Sequence, residues 1–265
     1  MPTGLNFVVN GADYSGSGLG IVNANPPQGL PAGCDLFLLT VRNADLAVFD
    51  RIGGATLPNA VVGTVEYLTD RAKTDVRVDG INLTGITNVY GAEDNGFTAL
   101  AVTALRNQAG DPAAGGFQSC FSNIGYTNGV SGWAIIASST QAGASITSLA
   151  GDAQAQPIYT VSGLDTDELF AVFGTFDASV GSFGSLNVDI PHSNQGGTAN
   201  LASATRTATD RDSGLTMLRE NNLGANRHAT LTLAARWTRP LSAGERNTAY
   251  AVVKAWLANL GISIA

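Results

Sequence analysis

Apolar positions in this chain fall into short runs separated by turns rich in Gly, Asn and Asp, and most runs read as strands rather than helices. Leu36–Val41 is a continuous apolar run suited to a strand buried on both faces. Ala47–Ile52, Val61–Leu68 and Val76–Val78 follow. Gly96–Arg106, Trp133–Ala137, Ser145–Leu149, Ile158–Val161, Leu169–Phe176 and Ser185–Ile190 complete the series. Short strands at regular spacing predict an antiparallel sandwich, not βαβ units. Between Asn187 and Ala229 apolar residues thin out, and that section reads as one long polar loop.

The period changes once, near the end. Ala229–Arg236 alternates as a strand and Trp237–Leu241 forms a polar turn. Ser242 then suits a helix N-cap, and Glu245, three residues on, is placed to close a capping box. Ala249, Val252, Val253, Trp256, Leu257 and Leu260 recur at spacings of three and four, one apolar stripe of a helix. Gly261 stands where a left-handed C-cap residue belongs. At the other end, residues 1–33 are rich in Gly, Pro and Asn and too poor in apolar residues to bury a core, so they read as an arm before a single domain at 34–265. Within the arm, Leu5–Val9 suits a strand added to a neighbour's sheet edge, and a frayed terminus is the equal alternative.

The sequence R-W-T-R-P-L-S-A-G-E between the last strand and the helix resembles the closing turn of concanavalin A-like (laminin G-like) jelly rolls, above all those of bacteriophage and phage-like virion proteins. E-L-F-A-V-F-G-T-F-D at Glu168–Asp177, S-L-N-V-D-I at Ser185–Ile190, G-F-T-A-L-A-V-T-A-L-R at Gly96–Arg106 and G-V-S-G-W-A-I-I-A at Gly129–Ala137 are similar to the family's core strands, in the same order. The resemblance covers roughly residues 30–265. It implies an all-β, two-sheet antiparallel jelly-roll sandwich with one C-terminal helix. It also implies a non-enzymatic homo-oligomeric virion surface protein, of tail or head fibre type, that binds host-surface glycan. The arm would join it to other virion proteins. A decoration protein without glycan binding and a polysaccharide-degrading enzyme are the alternatives on the same fold.

Composition narrows this. Hydrophobic residues make up 44% of the chain, too many for a disordered segment, and 32 glycines suit many tight turns. A net charge of −7, with Lys73 and Lys254 as the only lysines, excludes a nucleic-acid partner that needs a basic patch. No apolar stretch has the length of a membrane span, and the start lacks the basic and apolar regions of a signal peptide, so the expectation is a protein made in the cytoplasm and displayed on a particle. Cys34 and Cys120 are too few and too far apart for a disulfide framework or metal site, and read as small buried hydrophobes.

Candidate chemistry concentrates in loops. Sugar binding needs an aromatic face for the pyranose ring and amide or carboxylate groups for its hydroxyls. Tyr90, Asp94 and Asn95 in Asn88–Gly96, and Tyr126, Asn128 and Trp133 in Asn123–Trp133, supply that combination. Trp133 also opens a strand and suits the core. Calcium, the cofactor that lectin-like loops hold through hard oxygens, has its best donors at Asp210 and Asp212. G-S-G-L-G at Gly16–Gly20 has no following helix to meet a phosphate, since Pro26-Pro27 interrupt it. His192 and His228 flank the long polar section without a G-x-S-x-G elbow to serve. Asp165, Asp167 and Glu168 precede a strand instead of lining one, which argues against a glycosidase pair.

Overall fold

The computed structural model describes residues 26–76, 78–83, 86, 96–105, 117–123, 132–147, 154–165, 167–201, 214–219 and 228–265. In chain order these form β1 (Cys34–Leu39), the one-turn helix α1 (Ala44–Ala47), β2 (Phe49–Asp50), β3 (Ala55–Thr56), β4 (Asn59–Val62), β5 (Glu66–Tyr67), β6 (Ala72–Thr74) and β7 (Gly80–Leu83). Then come β8 (Gly96–Ala104), β9 (Gln118–Ser122), β10 (Gly132–Ala137), β11 (Gln141–Thr147), β12 (Gln154–Ala155), β13 (Ile158–Thr160) and β14 (Leu169–Asp177). The chain closes with β15 (Ser185–Ile190), β16 (Gln195–Asn200), β17 (Leu215–Met217), β18 (Ala229–Leu231), β19 (Leu233–Trp237) and α2 (Ala243–Asn259).

One sheet has six strands in the order β1-β19-β8-β14-β15-β16, a second has eight, β12-β11-β10-β9-β17-β7-β4 with β13 also on β11, and β18-β6-β5 and β2-β3 form two small sheets. The fold is the all-β antiparallel sandwich with a C-terminal helix that the strand pattern predicts, and it is consistent with a jelly roll. Alternation explains why both faces of the central strands are buried. On β8, Phe97, Ala99 and Ala101 face a core shared with Phe121, Trp133, Ile135 and Met217 of the opposite sheet. Leu100, Val102 and Ala104 face the other way, into a second core with Val253, Trp256 and Leu257 of α2. The six-stranded sheet is therefore a middle layer, and a buried strand on both sides reads as an unbroken apolar run.

Helix α2 forms for the reasons its sequence gives. Ser242 Oγ accepts from the Glu245 amide while the Glu245 carboxylate accepts from the Ser242 amide at 2.9 Å, closing the capping box. At the far end Ile262 N–H donates to the Leu257 carbonyl and Gly261 N–H to that of Ala258, a Schellman arrangement in which Gly261 takes φ +78°. Arg239 beside Glu245 and the Ser242 hydrogen bonds push the Glu245 carboxyl down from its ordinary 4.5 to about 2. A depressed carboxyl stabilises the fold above its ordinary pKa, and that contribution is lost as pH falls through the folded value. The melting temperatures of wild type and Glu245→Gln, measured against pH, are thus expected to differ near neutrality and converge as pH falls from 4.5 toward 2.

Several elements differ from the sequence expectation. The expected strand Ala47–Ile52 is a helical turn capped by Asn43 and then the short β2, because the Asn43 side chain accepts from the Leu46 amide and starts a turn instead. Val61–Leu68 divides into β4 and β5, and Val76 and Val78, expected in a strand, lie in the connection between β6 and β7. The polar section after Asn187 contains two strands, β16 and β17. The strand expected at Ala229–Arg236 is divided between sheets: β18 pairs with β6, and β19 inserts between β1 and β8. Thr232 sits at the switch, where its amide donates to Val102 and its hydroxyl to Asp70. Residues 26–33, the described part of the arm, lie along α2: Trp237 Nε1 donates to the Pro31 carbonyl at 3.1 Å, Arg239 Nε to that of Ala32 at 3.0 Å, and Gly29 faces Val252. Both cysteines are free, and burial pushes the Cys34 thiol up to about 12 and that of Cys120 to about 11.

Candidate functional site at the loop-bearing end

The register of the two sheets brings one set of strand ends together. In the six-stranded sheet, Gly96, Asp177, Ser185 and Asn200 stand in one row. In the eight-stranded sheet, Leu83 pairs with Leu215, Thr216 with Ser122, and Ser122 with Ala134. The Phe97 and Trp133 rings, 5.0 Å apart across the core, join these rows at the same end of the sandwich. The consequence is specific. The strand ends that bear the segments containing Tyr90, Asp94 and Asn95, then Tyr126 and Asn128, then Asp210 and Asp212 all lie at this end. Those seven residues themselves fall outside the described residues.

Trp133 is the one sequence-predicted site residue that is described, and it lies in the core. It is 1% exposed, packed edge-on against Phe121 at 5.2 Å and tilted over Phe97. A strand-opening position on an inward-facing register buries it, so it presents no ring to a ligand. Its part in the site is to fix the base of the segment that precedes it.

The described tip at this end is the β14–β15 hairpin, residues 178–184, with Val180 44% and Phe183 39% exposed. The sequence expectation places no candidate residue in this hairpin. The signal was two large apolar residues, Val180 and Phe183, isolated in A-S-V-G-S-F-G, where a purely structural turn has no use for them. Behind the tip, β15 and β16 turn a polar face away from the sandwich core. Thr98, Thr175, Asn187 and Thr198 form one cross-strand row, with Thr98 Oγ1 and Thr175 Oγ1 3.2 Å apart and Asn187 Nδ2 donating to Thr198 Oγ1 at 3.0 Å. Asp177, Ser185 and Asn200 form the next row out, and the Asp177 carboxylate accepts from the Ser179 amide and hydroxyl, which holds the hairpin's first turn. In the opposite direction, inward from the Asn187 row, Asp189 pairs with Arg246 of α2 at 3.3 Å. An apolar tip beside exposed amide and hydroxyl groups has the two kinds of surface a pyranose presents.

The other candidate residues have structural roles. His228 Nδ1 lies 2.9 Å from Asp75, and His192 sits in the 3-10 turn Pro191–Ser193. Asp165 and Glu168 bond each other's backbone across a tight turn, and Arg71 donates to the Asp167 carbonyl at 2.7 Å. That turn precedes Leu169, which pairs with Ala104 at the opposite end of the sandwich. Among the described residues, no group of three or more His, Cys, Asp or Glu side chains is gathered as a metal ion requires, and no helix is long and apolar enough to cross a membrane.

No protein-family model matches the chain, and no curated protein matches it by sequence. Solved structures match it in shape. The receptor-binding domain of botulinum neurotoxin type G superposes with a TM-score of 0.62 at 13% identity, over 84% of this chain and 52% of that one. The binding domain of botulinum neurotoxin serotype D gives 0.60 at 14% identity, over 83% and 51%. A serotype D ligand-binding domain in complex with N-acetylneuraminic acid gives 0.57 at 16%, over 83% and 50%. The likeness is one of fold. This chain spans about half the length of those domains.

Proposed function

We propose that this chain is a non-enzymatic, lectin-like module of the concanavalin A-like kind whose loop-bearing end binds a surface glycan. The observation that carries the reading is the gathering of every candidate loop base, together with the exposed Val180–Phe183 tip, at one end of the sandwich. The likeness to receptor-binding domains, one of them solved with a sialic acid, supports a recognition role for a fold of this shape. In this reading the Phe183 ring packs on the apolar face of a sugar, while Thr198 and Asn200 offer hydrogen bonds to its hydroxyls. The segments that carry Tyr90, Asp94 and Asn95, and Tyr126 and Asn128, start from strand ends at the same end and would add to this surface, and calcium at Asp210 and Asp212 would hold the segment between β16 and β17. The closing turn and helix, similar to those of virion proteins, support display on a phage or phage-like particle with the arm as its attachment.

A glycan array probed with the full chain tests this. Phe183→Ala is expected to weaken the best glycan's binding roughly tenfold, the worth of one aromatic packing contact, with the melting temperature unchanged because the ring is half exposed. Tyr126→Ala is expected to act in the same direction. An array without a single bound glycan, with full infectivity of particles carrying Tyr126→Ala, refutes glycan binding. The decoration reading would then stand. It fails in turn if a chain lacking residues 1–25 still assembles at full occupancy.

A further inference from the structure

We propose that β4, the outer strand of the eight-stranded sheet, is the surface through which two copies of this chain associate. Among the described residues β7 is its only pairing partner, and no described strand occupies its second edge. Asn59, Ala60 and Val61 are all exposed, and since successive strand residues face opposite sides, both faces of β4 are open as well. Val61 is 46% exposed, and Ile52, in the turn of the adjoining β2–β3 hairpin, is 38% exposed. Residues 52–65 contain no Asp, Glu, Lys or Arg. Native sheet edges are ordinarily guarded by charged side chains, and β4 carries none, only Pro58 before it and Gly63 after it.

A second copy is the occupant that fits. An antiparallel edge rotated about a two-fold axis is its own complement, with each strand's free N–H and C=O groups facing the other's. The chain carries a net charge of −7, so two copies repel across most of their surfaces and approach most easily through an uncharged one. Each copy would also cover the other's Val61. The carboxylate at this edge that a basic partner would meet, Asp79 at the end of β4, is already held by the Thr64 amide at 2.9 Å.

Sedimentation of the full chain over a range of micromolar concentrations tests the proposal. The expected result is a reversible dimer of the 27.1 kDa chain. Val61→Lys places a charge beside its symmetry mate and is expected to weaken the dimer about tenfold or more, with an unchanged thermal melt because the position is exposed. Val61→Thr, β-branched and uncharged, is expected to dimerise as wild type does. A wild type monomeric at every concentration overturns the proposal, and so does a Val61→Lys chain that dimerises as tightly as wild type.

Discussion

Trp237→Ala is expected to lower stability by about 3–5 kcal/mol, the usual cost of emptying a large aromatic site in a core that cannot collapse around it. Trp237 is 0% exposed and sits where three structures meet. It ends β19 opposite Thr98 of β8, lies in the core beneath α2, and donates its indole N–H to the Pro31 carbonyl. Alanine removes the ring from the core and the tether from residues 26–33 in one change. Trp237→Phe separates the two: it keeps most of the packing and loses the hydrogen bond, for an expected cost of about 1–2 kcal/mol. Urea midpoints of the three proteins check this. Equal losses for Ala and Phe would mean that the hydrogen bond, not the packing, holds the element.

The same residue shows what was legible in the sequence. Ser242, Glu245 and Gly261 act within a few residues of one another, so local spacing alone predicts α2 and both its caps. Leu169–Phe176 and Ser185–Ile190 were legible because burial on one or both faces leaves an apolar trace. Gln195–Asn200 leaves none. Only Ala199 in β16 packs on the core, and the strand exists because six consecutive residues pair with β15. Thr232 has no local feature that ends a strand; its contacts to Val102 and Asp70, both distant in sequence, decide the switch between sheets. The candidate site follows the same division. Individual sugar-type residues were visible as compositions of single loops, whereas the shared end from which those loops start depends on the registers of two sheets that no single segment encodes. Val180 and Phe183 were visible as residues but gained meaning only from their exposure.

Gly96→Ala should be the most damaging small substitution at the loop-bearing end. Gly96 opens β8 with φ +133°, a conformation nearly closed to residues with a Cβ. A Cβ built there would stand 2.3 Å from the Phe176 carbonyl oxygen and 2.7 Å from Pro240 Cγ. The first of these is backbone in the adjacent strand and cannot swing aside, so the strand end itself must move. Strain and displacement together are expected to cost about 3 kcal/mol or more. Gly261→Ala is the matched control, because its φ of +78° is also left-handed but nothing lies within 4 Å of the added atom. Its expected cost is the conformational strain alone, about 1 kcal/mol. If the two variants melt at the same temperature, crowding at Gly96 is not what fixes this end of β8. The two should also separate in function. Gly96 joins β8 to the segment bearing Tyr90, Asp94 and Asn95 and pairs with Asp177 at the base of the Phe183 hairpin, so its substitution should weaken glycan binding even at temperatures where the chain stays folded. Gly261, at the end of α2, should leave binding untouched.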